Sequence, residues 1–299
     1  MTDAPTTPPT TANRRRLFGA GAVLGGAASL LGVGQANAQA LDRSRSKLQQ
    51  VLSRGRLIVG TGSTNPPWHF EDATGKLTGM DIDLSHMMAK ALFDDASKVE
   101  FIRQASDARI PSLLTDRVDI VVQFMTVTPG RAQQIEFTIP YYREGVGLLA
   151  MAGRGRYKTF AEMKAAGAGM RVSALQNVFV EQWVRMALPQ AQVLQFDSPA
   201  SALQALNAGR ADAYLADQST VRWLMQETPN RYIDSGYGWM PNSYACGVRP
   251  GDPIWLNWVN GFLKEAMMGV DFDPFAALYK KWFGIELETP KVGFPSEFA

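Results

Sequence analysis

Apolar and polar positions alternate in blocks along this chain, and the period of the pattern switches from block to block. Short apolar runs of strand length recur over 56–60, 99–102, 119–122, 171–174, 193–196 and 212–215. Between them, apolar residues return at helical spacing. After Gly79 they fall at Leu84, Met87, Met88, Ala91 and Leu92, which predicts a helix to about residue 93. The same spacing predicts helices over 110–115, 180–187 and 200–207, with others opening at Pro129 and near Thr220. Strands alternating with helices in this way predict parallel sheets flanked by helices.

The two ends of the pattern frame that alternation. A polar helix over 41–54 stops at Gly55, a residue suited to the left-handed cap of a helix C-terminus. A loop rich in turn formers covers 61–67, Trp68, His69 and Phe70 follow, and a turn lies at 72–75. Asp81 and Asp83 stand at the opening of a helix, where capping and the helix dipole favour acidic side chains. Residues 141–145 lead into an unusually apolar run, 146–152, and a strand over 244–248 precedes two final helices, 254–268 and 275–283. Two successive α/β blocks followed by a returning strand predict two lobes, with the chain crossing between them twice.

The first 38 residues stand apart. Arg14, Arg15 and Arg16 precede Leu17 and Phe18, then a Gly/Ala/Leu-rich run to Gly34, then Ala36-Asn37-Ala38. A basic region, an apolar region and an A-x-A site are the parts of a secretory signal, and the paired arginines resemble the twin-arginine export signal. Cleavage is expected near Ala38, with a periplasmic product. Removing this segment's three arginines and one aspartate leaves 27 basic and 27 acidic residues in the mature chain. The basic excess belongs to the signal, so nucleic acid is not an expected partner. With 46% hydrophobic residues over 299 positions the chain can bury a large core. The single cysteine, Cys246, excludes an intramolecular disulfide, and His69 and His86 lack metal-ligand spacing. No metal and no cofactor are expected.

The stretch Gln123 to Arg131 carries the first candidate chemistry. A strand-like run leads through Thr126 and Thr128 to Pro129-Gly130 and then Arg131, which opens a short helical segment. Hydroxyls, unpaired N–H groups and a guanidinium facing one spot suit a carboxylate. A plain strand–turn–helix corner with a solvated arginine gives the same pattern.

Several motifs in one order resemble the polar amino-acid solute-binding proteins of ABC importers, solute-binding family 3. They are Gly79-x-Asp81-x-Asp83-Leu84, Arg109-Ile110-Pro111, Val118-Asp119-Ile120, Met125-Thr126-Val127-Thr128-Pro129-x-Arg131, Pro140-Tyr141-Tyr142, Gly209-Arg210-Ala211-Asp212-Ala213 and Tyr279-Lys280-Lys281-Trp282-Phe283-Gly284. The resemblance implies an α/β, type 2 periplasmic-binding fold: two lobes, each a central sheet flanked by helices, joined by two hinge strands and closing over a ligand. It places an N-terminal polar segment at 39–49, lobe 1 at 50–142 and 245–290, lobe 2 at 143–242 and a tail at 291–299. The hinge strands fall near 141–145 and 241–244.

By the same match Arg131 binds the ligand α-carboxylate with help from Thr126, and Asp217 takes the α-ammonium. A helix N-cap is the alternative role for Asp217. Each charge of a zwitterion must be paired once water is excluded. The side-chain pocket implied is Asn65, Trp68, Gln123, Phe124, Asn177 and Phe179, and core packing is the alternative for Trp68 and Phe179. Here the chain departs from the family's pattern. Gly62 stands where a charged residue sets specificity in basic and acidic binders, which points to an uncharged ligand side chain. Gln176-Asn177-Val178-Phe179 replaces a Gly-Thr loop, and Arg109 reads first as structural. The partners implied are an amino acid and a membrane permease with its cytoplasmic ATPase, and the protein is expected to be a monomer. The rival is an enzyme of cyclohexadienyl dehydratase type, acting on prephenate or arogenate. It needs a cleft-facing acid, for which Glu144 and Glu181 are the candidates.

Overall fold

A computed structural model describes residues 43–176 and 180–293. The export segment over 1–38 and the tail beyond 293 lie outside the described residues. After a 3-10 turn, α1 (Lys47–Arg54) is capped at its start by Ser46 and stopped by Gly55 at φ +73°. There follow β1 (Leu57–Thr61), a small antiparallel sheet of β2 (Thr64–Asn65), β3 (His69–Glu71) and β4 (Leu77–Thr78), then α2 (Met80–Phe93), β5 (Val99–Arg103), α3 (Arg109–Leu114) and β6 (Ile120–Thr126). The short α4 (Pro129–Ala132) and β7 (Glu136–Phe137) lead to β8 (Tyr142–Met151). The second block holds α5 (Phe160–Ala165), β9 (Arg171–Leu175), α6 (Val180–Ala187), β10 (Gln192–Phe196), α7 (Pro199–Asn207), β11 (Ala213–Asp217) and α8 (Gln218–Glu227). The chain returns along β12 (Tyr232–Val248) and finishes in α9 (Pro253–Met268) and α10 (Phe272–Phe283).

The two lobes share one sheet, in the order β10-β9-β11-β8-β12-β6-β1-β5, with β7 also paired to β12. At either end the strands are parallel, as the alternation predicts: β5-β1-β6 in lobe 1 and β10-β9-β11 in lobe 2. The middle differs. The two long strands β8 and β12 pair antiparallel, with Glu144 opposite Asn242, Arg143 opposite Ser243 and Tyr142 opposite Tyr244. The strand expected over 244–248 is therefore the end of a 17-residue strand. Two register shifts, between Asp234 and Gly238 and between Trp239 and Asn242, bend it from one lobe into the other.

Each lobe has its own core, as packing helices onto a sheet requires. In lobe 1, Val51, Leu57, Val59, Leu84, Ile120, Val122, Trp255 and Phe275 are buried together. In lobe 2, Leu148, Met163, Val172, Val184 and Leu215 form one cluster, and Leu149, Leu206 and Val221 lie in another. Cys246 is fully buried, and burial pushes its thiol up. Among the described residues no helix is long and apolar enough to cross a membrane.

Capping of α2 is a correction to the sequence reading. Gly79 is its N-cap, at φ +130°, because a Cβ there would run into the carbonyl of Trp68. Asp81 does not cap. Its fully buried carboxylate accepts from the Tyr141 hydroxyl (2.7 Å), the Phe124 N–H (2.9 Å) and His69 Nδ1 (2.8 Å). Asp83 reaches Lys281 Nζ (2.6 Å) and Trp282 Nε1 (2.8 Å) on α10. Contacts to distant elements outweigh the helix terminus for both residues.

Candidate functional site

The hinge strands meet under an aromatic floor. Tyr142 on β8 and Tyr244 on β12 face each other in register with ring centroids 6.1 Å apart. Trp68 stands edge-on to both, at 4.7 and 5.2 Å, and packs at 5.2 Å from Phe283. Edge-to-face contacts of this kind each contribute about 1 kcal/mol beyond burial. Burial pushes the Tyr142 and Tyr244 hydroxyls far above the usual phenol range, so both stay protonated. Trp68 is buried, but its Nε1–H crosses to lobe 2 and donates to Ser219 Oγ at 3.0 Å. It therefore joins the core and bridges the cleft.

On the lobe 1 side, Phe124 projects from the end of β6. Its φ of +33° lies in the left-handed region, a strained conformation for a bulky residue. The Asp81 carboxylate holds its N–H. Its ring is stacked on His69, with centroids 4.6 Å apart and planes 6° from parallel, and Arg109 Cζ lies 5.0 Å from its centroid. Phe124 is thus packed against an imidazole and a guanidinium. His69 also explains Gly62, since a Cβ at Gly62 would come within 2.5 Å of the His69 ring and 3.0 Å of Gln123.

Two arginines converge here. Thr128 caps α4, and its Oγ accepts from the Arg131 N–H at 3.3 Å. The Arg131 guanidinium donates through Nη1 to the Thr126 carbonyl at 2.8 Å and forms no ion pair among the described residues. Arg109 exposes only 4% of its surface. Its Nη2 donates to Ser106 Oγ at 2.8 Å, while its buried Nε has no partner. No carboxylate pairs with it among the described residues. Burial, and then the nearby Arg131 charge, pull the Arg109 pKa down.

The opposite wall belongs to lobe 2. Asp217 ends β11 and is the N-cap residue of α8, yet its side chain makes no capping bond, so the alternative of a plain cap does not describe it. Its side chain has no hydrogen bond or ion pair among the described residues. The residue is exposed, yet dense protein around its carboxylate partly desolvates it and pushes its pKa up to about 6. Glu144 lies on β8, 2% exposed. It accepts from Ser219 Oγ, Ser219 N–H (3.2 Å) and Gly145 N–H (3.0 Å). Burial, and then Asp217, push Glu144 up to about 7 against those bonds.

Of the other pocket residues, Asn65 is exposed and reaches His69 Nε2 at 3.4 Å. Gln123 is 1% exposed and exchanges hydrogen bonds with Gln104, so its amide is engaged inside lobe 1. Asn177 and Phe179 lie outside the described residues. Glu181 pairs with Arg185 on the exposed face of α6. Sequence reasoning passed over Ser219, Tyr244 and the role of His69. The one signal for them was apolar or hydroxyl character beside the family motifs. Among the described residues no group of three or more His, Cys, Asp or Glu side chains is placed to hold a metal.

The residues from 57 to 285 match the family of bacterial extracellular solute-binding proteins, family 3. The L-cystine-binding protein TcyJ of Escherichia coli K12 is 28% identical over 242 residues, covering 80% of this chain and 87% of that protein. The ABC transporter glutamine-binding protein GlnH of Bacillus subtilis is 29% identical over 242 residues, 81% of this chain and 86% of its own length. A solved ancestral cationic amino-acid solute-binding protein is 32% identical across 80% of this chain and all of its own, with a TM-score of 0.68. A second structure of that ancestor is described as a precursor of cyclohexadienyl dehydratase. The fold, the motif order and these matches agree: the chain belongs to the bacterial extracellular solute-binding proteins, family 3, the amino-acid-binding proteins of ABC transporters.

Proposed function

We propose that this protein captures one amino acid between its lobes in the periplasm and delivers it to an ABC importer, without catalysing a reaction. What carries the reading is the pair of unmatched charges in the cleft. Arg131 has no anion and Asp217 no cation among the described residues. A bound zwitterion supplies both, with its carboxylate on Arg131 and Thr126 and its ammonium on Asp217. The export signal, cleaved near Ala38, the lobe boundaries at 142/143 and 242/245, delivery to a permease and its ATPase, and the monomeric state belong to the same reading.

Charge supports a reading of the ligand side chain. Gly62 offers no countercharge, and Arg109 stands buried without an ion-pair partner among the described residues. A cationic side chain would add a third positive charge beside two arginines. A side chain ending in a hydrogen-bond acceptor fits, which means an uncharged amide first and a carboxylate second. Calorimetry with a panel of amino acids tests this. Micromolar binding, about −8 kcal/mol, is adequate for capture and release. No heat from any member, or tightest binding by lysine or arginine, refutes it.

One observation favours the enzymatic rival. Glu144, held at about 7, has the proton affinity a general acid needs. Its carboxylate is nevertheless engaged by Ser219 and Gly145. Ultraviolet detection of phenylpyruvate after incubation with prephenate would establish that activity, and its absence ends it.

A further inference from the structure

Glu144 is the buried acid that zwitterion binding leaves unused, and its surroundings are specific. Three donors converge on it: Ser219 Oγ–H and Ser219 N–H from the first turn of α8, and Gly145 N–H from its own strand. Ser219 Oγ in turn accepts from Trp68 Nε1 of lobe 1. One carboxylate therefore ties the hinge strand β8 to the turn that carries Asp217, and through Ser219 to the other lobe. Asp217 stands only two residues before Ser219.

The charges facing Glu144 decide how it responds to a ligand. Asp217, from β11, opposes its ionisation. Tyr142 beside it on β8, Tyr244 from β12 and Tyr279 from α10 are neutral phenols, all pushed well up by burial. Arg222 on α8 faces Tyr142 and Tyr279. The charge opposing ionisation of Glu144 is thus that of Asp217, and a cation placed on Asp217 offsets it.

We propose that Glu144 is the positioning residue of the ammonium subsite, and that its carboxyl gives up a proton to solvent as the ligand's cationic group settles on Asp217. Ionised, it accepts all three donors and holds the Asp217 turn against Trp68. Protonated, it presents an O–H to donors already aimed at it, and the turn loosens. Linkage gives the sign: if binding releases a proton, affinity rises with pH through the range where Glu144 titrates. This rests on the assignment of Asp217 to the ammonium.

The test is calorimetry on the whole protein with L-glutamine, or with the tightest binder of the amino-acid panel, at neutral pH in phosphate and in Tris. The two buffers differ in ionisation enthalpy, so the difference in heat counts protons. A group held at about 7 is half protonated at neutral pH, so release on the order of half a proton per ligand is expected. Affinity should rise up to roughly tenfold between about pH 6 and 8. Glu144→Gln should cut the release to the small fraction that Asp217, held at about 6, still contributes. Ser219→Ala, which removes a donor to the carboxylate, should move the proton release to higher pH.

Equal heats in both buffers overturn the proposal even if Glu144→Gln fails to fold. So does a Gln variant that binds ligand and releases as many protons as the parent. If no amino acid gives heat in either buffer, the proposal falls together with the site assignment. Binding without proton release defeats the proposal alone.

Discussion

Arg109→Met separates a ligand-binding cation from a structural one, because the two roles predict opposite signs. Arg109 is buried, near Arg131, and forms no ion pair among the described residues, and the Asp81 carboxylate, which acts on it without pairing, compensates its charge only in part. An incompletely compensated buried charge costs several kcal/mol. Two contacts offset part of this: the Phe124 ring at 5.0 Å, worth ~1–2 kcal/mol, and the bond to Ser106, worth ~1.5–3 kcal/mol. Methionine keeps much of the stem volume against Phe124 and abolishes the charge, and the exposed Ser106 turns to water. The unliganded protein should gain ~1 kcal/mol, a rise in Tm of about 2–4 °C for a chain of this size. The ligand should lose a charge-assisted hydrogen bond of ~1.5–3 kcal/mol, about 10- to 150-fold in Kd. Thermal melts with and without ligand, with calorimetry for affinity, measure both. A fall in Tm of several degrees with unchanged affinity would show that Arg109 only supports the fold, and the acceptor reading of the ligand side chain would go with it.

Other substitutions probe the remaining parts of the site. Arg131→Ala and Asp217→Asn should each weaken binding by ~2–5 kcal/mol by leaving a ligand charge unpaired, with the unliganded Tm little changed, as calorimetry and melts will show. Trp68→Phe keeps an aromatic ring on the floor and deletes the bond to Ser219, so urea unfolding should register a loss of ~1 kcal/mol. Gly62→Ala places a methyl 2.5 Å from the His69 ring and should cost ~1–3 kcal/mol in the same assay, with weaker binding as His69 and Phe124 shift. An alanine variant as stable as the parent would show that His69 can move aside freely.

Much of this protein is written in local pattern. Helical spacing marks α2 and α6, the parallel strands at either end of the sheet appear as short apolar runs, and Gly55 ends α1 as expected. Such features depend on neighbours a few residues apart, so one sequence suffices to read them. The motif around Arg131 is local too, a strand end, a capping Thr128 and Pro129 opening a short helix, whereas the zwitterion roles of Arg131 and Asp217 were expected only from the family resemblance.

The tertiary structure decided what depends on distant pairs. The long strand β12 was legible only from about residue 241 onward, because Gly236, Gly238 and Pro241 break the apolar pattern of its outward half, which is held as a strand by pairing with β8. Asp81 looked like a helix-capping residue and is instead the acceptor for Tyr141, 60 positions away. Trp68 meets Ser219 across 151 positions, and Ser219 meets Glu144 across 75. No periodicity encodes such contacts. The charge balance of the cleft is of this kind too. Sequence alone supplies Arg109, Arg131, Glu144 and Asp217, but only burial and mutual distance decide which of them lacks a partner, and therefore what a ligand must bring.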